Sequence, residues 1–254
     1  MSTDPDQRPI GPLVDYQVPS RPPRVMHLGQ HVVLRAVEPA GDAAALYPLL
    51  HDPTGDPAVW DYLLEGPFPD RASYQELLAQ QARSEDPLFF TITVRAGEAS
   101  VQMADEVSTS SEAAAAGRPL GVFSLMSIVP EHGRIEIGNV CFSPALQRTI
   151  AATEAIFLLA RHTFDDLGYR RLEWKCNALN APSRSAALRY GFHFEGIFAQ
   201  HMIVKGRNRD TAWFSITDGR WPQLRAAFEH WLAPENFDAA GHQLSSLREL
   251  TAAI

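Results

Sequence analysis

The stretch from Arg134 to Gly196 constrains this chain more than any other. It reads as strand, long helix, strand, short helix, strand. Arg134–Phe142 and Arg171–Cys176 have strand character, and between them Ala151–Leu167 has a helical pattern. Ala152, Ala155, Ile156, Leu159, Ala160 and Phe164 fall in one apolar stripe, and Gly168 closes the helix. A short helix over Pro182–Tyr190 ends at Gly191, and extended Phe192–Gly196 follows. Such alternation belongs to architectures in which helices cover a sheet.

The flanks extend the same pattern. Strands are expected at His31–Val37, Leu88–Val94 and Leu120–Val129, and helices at Ala40–Leu50 and Ser73–Arg83. After Gly196 come extended Phe198–Lys205, a turn over Gly206–Asp210, a last strand at Thr211–Thr217, and helices at Trp221–Trp231 and Leu244–Leu250. The chain has 254 residues, and at about 100–200 residues per domain that allows one large domain or two small ones. The unbroken pattern favours one α/β domain over 27–220. Residues 1–26, with six prolines in the first 24, form an extended, partly disordered arm. The Ala-, Ser- and Glu-rich stretch 97–118 is an insertion, and 221–254 is a helical tail.

Within the central block stand Ile135-Glu136-Ile137-Gly138-Asn139-Val140-Cys141-Phe142-Ser143-Pro144, then Gln147-Arg148-Thr149-Ile150-Ala151-Ala152-Thr153-Glu154-Ala155. Asn180-Ala181-Pro182-Ser183 and Gly191-Phe192-His193-Phe194-Glu195-Gly196 follow. In this order and spacing the sequence resembles the GNAT acyltransferase superfamily, and within it the RimJ/RimL-like branch, which acetylates protein N-termini. The resemblance covers about residues 27–220. It implies a mixed central sheet flanked by helices, with two splayed strands forming a coenzyme A cleft, and acetyl-CoA as the acyl donor.

It also implies roles for particular residues. Val140, Cys141 and Phe142 would hold pantetheine through their backbone, and Gln147, Arg148, Thr149, Ile150, Ala151 and Ala152 would form the pyrophosphate loop. A helix N-terminus suits an anion, because its first amides are unpaired and its dipole is positive there. Ile150 stands where the family usually has glycine, and a side chain there limits the approach of phosphate to backbone. Glu136 would take a proton from the attacking ammonium through water; alternatively it is a solvated strand residue, or pairs with Arg134 or Lys175. Asn180 would bond the pantetheine region, and Ser183, with Tyr190 as second candidate, would protonate the departing thiolate. Helix capping explains Asn180 and Ser183 equally simply, and core packing explains Tyr190. Trp60, Tyr62 and Phe68, in a proline-rich loop, line an acceptor pocket or cap the core. His201 borders the expected acceptor cleft. Glu154 reads as solvent-facing or capping, and Cys141 as a small buried residue.

Composition narrows the partners. Lys and Arg number 22 against 30 Asp and Glu, a formal net charge of −8. Such a surface disfavours nucleic acid and suits a cationic amine acceptor. Two cysteines make no disulfide framework, and the nine histidines show no metal-ligand spacing. No apolar stretch approaches the roughly 20 residues of a membrane span, and the polar, acidic start is unlike a signal peptide. The expectation is a cytoplasmic, metal-independent N-acetyltransferase acting on a primary amine, with the arm and tail as surfaces on which a homodimer could form. A small-molecule acetyltransferase for an aminoglycoside, polyamine or amino acid, and a non-catalytic acyl-CoA-binding module, are the alternatives.

Overall fold

Among the described residues, eight strands form one sheet in the order β1-β2-β3-β4-β5-β6-β8-β7. They are β1 His27–Leu28, β2 Val32–Ala36, β3 Leu88–Val94, β4 Arg118–Val129, β5 Arg134–Phe142, β6 Arg171–Asn177, β7 His193–Val204 and β8 Arg207–Thr217. Every neighbouring pair is antiparallel except β5–β6. The helices are α1 Pro39–Leu50, α2 Arg71–Arg83, α3 Ile150–Arg161, α4 Ala181–Arg189, α5 Trp221–Leu232 and α6 Leu247–Ala252. This computed structural model describes residues 10–51, 53–95, 117–239, 242–252 and 254. The insertion expected at 97–118, apart from Gly117 and Arg118, and the start of the arm lie outside the described residues.

The two faces of the sheet bury different sets. Val32, Phe90, Phe123, Ile135, Ile137, Leu172, Trp174 and Phe214 meet α3 and the helices beyond it. Phe89, Val122 and Cys141 meet Leu46, Leu50, Tyr74, Leu78 and Trp60 of α1, α2 and the loop joining them. A period of two along each strand sorts side chains in this way.

Several expectations needed correction. Every residue of α3 from Ala151 to Ala160 is buried, not one stripe alone. The reason is α5, which lays Phe228 on Phe157 at 5.4 Å and Trp221 on Phe164 at 5.1 Å, covering the outer side. The helix also stops at Arg161 and unwinds through a π-helical turn, His162–Asp166. Glu154 is neither solvent-facing nor a cap. It is 4 % exposed, and its carboxylate accepts from the backbone N–H groups of Gln30 (2.7 Å), His31 (2.7 Å) and Val32 (2.9 Å). The turn expected over Gly206–Asp210 is only Lys205-Gly206, both at positive φ (50° and 73°). That matches a two-residue hairpin turn, so Arg207–Asp210 already belong to β8. The described part of the arm, residues 10–26, is extended and pinned: Tyr16 donates to Pro130 O, and Arg24 to Phe89 O.

Candidate active site

The parallel pair β5–β6 opens partway along its length. Its register runs Arg134↔Arg171, Ile135↔Leu172, Glu136↔Glu173 and Ile137↔Trp174, and ends there. Past Ile137 the strand pairs only with β4, as Gly138 with Ser124, Cys141 with Val122 and Phe142 with Gly121. Its inner edge therefore presents backbone polar groups to a gap rather than to a neighbouring strand, and such groups require partners. Asn139 creates the break. It sits at φ +51°, and its Nδ2 donates to Ser124 Oγ at 3.0 Å. The extra residue shifts the alternation, so Val140 and Phe142 turn towards the α3 core and Cys141 towards α1 and α2.

Below the gap lies the start of α3. Thr149 is the N-cap and accepts from Ala152 N at 3.1 Å, while donating to Leu146 O at 2.7 Å. Gln147 Nε2 donates to Phe142 O at 3.0 Å and ties the loop to the end of β5. The amides of Ile150 and Ala151 remain without intrahelical partners. Ile150 packs part of its side chain on the core, and the left-handed residue of this loop is Arg148 (φ +63°). Arg148 is exposed, with its guanidinium available to an anion.

Across the gap, Asn180 caps α4, its Oδ1 accepting from Ser183 N at 3.0 Å. Ser183 is two residues inside the helix, where its Oγ accepts from Trp174 Nε1 at 3.0 Å. Its hydroxyl also meets the Cys176 thiol, whose pKa burial pushes up. Tyr190 lies at the other end of α4, buried against Phe228 and Trp174. Its hydroxyl is held by Arg189 and Thr153, and burial raises its pKa. Structure thus brings Val140–Phe142, Asn180 and Ser183 to the gap, and sets Tyr190 in the helical core.

On the other face, Glu136 is buried, at 5 % exposed. Of the sequence alternatives, pairing with Lys175 is what occurs: Nζ lies 2.7 Å from Glu136 Oε2. Ser127 Oγ donates to the same oxygen at 3.1 Å. Burial pushes the Glu136 pKa up and outweighs the Lys175 charge and hydrogen bonds that pull it down. Lys175 also lies 2.8 Å from Glu173 Oε2 and 4.2 Å over the Trp213 ring. Arg171 joins Glu173 at 2.7 Å and holds Glu195 through both its Nη atoms; that hydrogen bonding lowers the Glu195 pKa to about 2. Glu173 and Lys175 alternate along β6, and this spacing was the sequence signal for a shared face.

A cleft of about 320 Å³ adjoins Asn139 and Cys141. Its walls are mostly apolar, among them Trp60, Leu63, Tyr74, Leu77, Phe89 and Val122. Gln81 also lines it, with a buried Oε1 that has no donor among the described residues. Burial pushes the Cys141 thiol up to about 12, so it stays neutral. Trp60 lines the cleft while donating from Nε1 to Leu50 O at 2.9 Å, so it both walls the cleft and closes the core. Phe68 packs edge-on against Trp60 behind the wall. Tyr62 reaches across the gap, where its hydroxyl donates to Leu179 O at 3.4 Å. His201 stands on β7, with Nδ1 and Thr211 Oγ1 2.9 Å apart. Among the described residues no three His, Cys, Asp or Glu side chains gather to hold a metal ion, and no helix is long and apolar enough to cross a membrane.

A mixed sheet whose one parallel pair splays over a helix N-terminus defines the acyl-CoA-dependent acyltransferase class of α/β fold. The chain belongs to the GNAT acetyltransferase family: the family's acetyltransferase (GNAT) domain model matches residues 31–193. A GCN5-related N-acetyltransferase from Brucella melitensis is 40 % identical, with 94 % of this chain and 99 % of that one covered and a TM-score of 0.82. A protein of Chromobacterium violaceum ATCC 12472, named a probable acetyltransferase of the GNAT family, is 37 % identical over 86 % of this chain and 100 % of its own, with a TM-score of 0.70. Microcin C7 self immunity acetyltransferase MccE, solved with acetyl-CoA and AMP, shares the fold at 19 % identity (74 % and 93 % covered, TM-score 0.55). No curated protein matches the chain. The chain is therefore an acyltransferase of a family that uses acetyl-CoA.

Proposed function

We propose that this protein transfers the acetyl group of acetyl-CoA directly to a primary amine, with the donor in the β5–β6 gap. The observation that carries this reading is the end of β5–β6 pairing at Ile137↔Trp174, on the side of the first-turn amides of Ile150 and Ala151, which have no intrahelical partner. Those amides and Arg148 receive the pyrophosphate. Gln147, Thr149 and Ala152 shape the loop, since Thr149 spends its hydroxyl on the Ala152 amide. The backbone of Val140–Phe142 holds pantetheine and polarises the thioester carbonyl, an oxyanion-type role, with Asn180 on the opposite bank. The amine approaches from the cleft side, between Cys141 and the Trp60–Tyr62 loop, with His201 and Phe68 further out on the same side.

Chemistry then needs two protons removed from the ammonium nitrogen and one supplied to sulfur. Glu136 takes the first through water, so that the neutral amine can attack, and the nitrogen loses the second to solvent once it has bonded the acyl carbon. As the tetrahedral intermediate collapses, Ser183 donates to the leaving sulfur, being the hydroxyl of α4 that reaches the gap. Tyr190 serves the same step only by packing α4 in place. We read 27–220 as the catalytic unit, with 1–26 as its arm and 221–254 as a segment that completes the core behind α3. The protein works in the cytoplasm, and a protein N-terminal α-amine leads as acceptor, its first side chain entering the apolar cleft.

Thiol release measured across N-terminal peptides and small amines tests the acceptor. Turnover of peptides at least tenfold better than of polyamines or aminoglycosides supports the leading reading, and the reverse replaces it with a small-molecule enzyme. Ser183→Ala should lower kcat by about 10²-fold, at the low end of general-acid effects. It also strips Trp174 Nε1 of its acceptor, at a cost of about 1–3 kcal/mol. Ser183→Thr keeps that acceptor and should recover both. A Ser183→Ala enzyme with unchanged kcat would leave the hydroxyl a structural role only.

A further inference from the structure

Strand β8 carries a cation that no described residue matches. Arg209 is half-buried, and its Nε is sealed from solvent with no acceptor among the described residues. Along this face Arg134, Arg171 and Lys175 each meet a carboxylate; among the described residues Arg209 meets none. Its neighbour Asp210 lies on the opposite face of the strand, where Oδ1 accepts from Gln200 N at 2.7 Å and Asn208 Nδ2 at 3.0 Å. Burial lowers the Arg209 pKa, against the smaller opposing pull of Cys176 and Glu136. A desolvated guanidinium is costly until an anion matches it.

Register shows where that anion would come from. Arg209, Thr211 and Trp213 share one face of β8, since Ala212 and Phe214 point into the α3-side core. This is the face of Glu136 and Lys175, whose ammonium lies over Trp213. Trp213 Nε1 is a second buried donor without an acceptor among the described residues. At the hairpin tip, Lys205 Nζ donates to Trp60 O at 2.7 Å. That contact ties the hairpin to the loop lining the cleft, which sets the Arg209 face beside the acceptor side rather than in the cleft wall itself.

We infer that Arg209 is the anion-binding residue of the acceptor subsite, so that the amine acetylated here carries a carboxylate close to it. The inference rests on the acetyl-transfer reading above and narrows its substrate class. The carboxylate can come from a free amino acid or from an acidic side chain near a peptide N-terminus. The guanidinium supplies a planar donor fork suited to either.

Two matched pairs separate the sources: leucine against leucinamide, and the tripeptide Ala-Asp-Ala amide against Ala-Asn-Ala amide. In wild type, kcat/KM for the acidic member of one pair should exceed that of its neutral partner by about 10- to 100-fold, the worth of a charge-assisted hydrogen bond. Arg209→Gln should bring that ratio to about one through KM, and Arg209→Lys should restore part of it. A ratio near one in both pairs in wild type, or an acid preference that survives Arg209→Gln, overturns the inference. Titrating the same pairs into the CoA-loaded protein, read by tryptophan fluorescence, tests it independently of turnover. Arg209-dependent preference in binding without acetylation upholds the anion site and removes the acetyl-transfer reading. Acetylation with no acid preference does the reverse, and equal binding within both pairs also overturns the anion site.

Discussion

Glu136→Gln should lower kcat by about 10²- to 10⁴-fold at neutral pH, the range for losing a positioned general base, while the fold persists. Persistence follows from the local ion pairs. Lys175 keeps Glu173 at 2.8 Å and the Trp213 ring at 4.2 Å, so removing the Glu136 charge does not strand a buried ammonium. The pH profile gives the sharper reading. Burial raises the Glu136 pKa above its ordinary value of 4.5, against Lys175. The base is active only when ionised, so wild-type kcat should fall as pH drops through a value above the usual carboxylate range. In the Gln variant that acidic limb should vanish. Stability moves in the opposite sense to activity at this residue. A raised carboxyl pKa favours the fold at pH below the unfolded value, and that contribution is lost as pH rises through the folded value. Full activity of Glu136→Gln across pH would remove Glu136 as the base.

Glu154→Ala should lower the unfolding free energy by about 3–5 kcal/mol, the range for removing one partner of a buried, charge-assisted network. At about 2–4 °C per kcal/mol for a chain of this size, the melting temperature should drop by roughly 10 °C. Three backbone N–H groups, of Gln30, His31 and Val32, converge on this one carboxylate. Without it they are orphaned beneath the β1–β2 turn, and alanine fills little of the space. Gly29 fits the same arrangement, because a Cβ there would lie 2.4 Å from Glu154 Oε2. Glu154→Gln keeps one oxygen and should fall between wild type and alanine. Thermal unfolding followed by circular dichroism measures both, and an alanine variant melting within 2 °C of wild type (well inside the ~10 °C expected from those magnitudes) would contradict this role.

The contrast between these two glutamates explains what the sequence could show. Glu136 lies in a strand beside a motif, and its pairing with Lys175 was one of few choices that period-two patterning allowed. Glu154 binds residues more than 120 positions away, a contact that no local pattern encodes. The block from β5 to α4 was legible because its helix ends carry chemical marks: Thr149 and Asn180 cap, and Gly191 closes. Its finer geometry was not. The bulge at Asn139 and the left-handed Arg148 place φ > 0 on non-glycine residues, so a search for glycine passes them by. Burial all round α3 depends on α5, whose docking is a tertiary fact. The lack of an acceptor for Arg209 among the described residues appears only once β8 starts at Arg207.

The central claim is the position of the donor, and a crystal structure of the protein soaked with acetyl-CoA tests it most directly. The account predicts pantetheine density between β5 and β6 beyond Ile137 and Trp174. The pyrophosphate should sit on the amides of Ile150 and Ala151, and the sulfur within reach of Ser183. Density for acetyl-CoA elsewhere on the protein, with the β5–β6 gap empty, would contradict it.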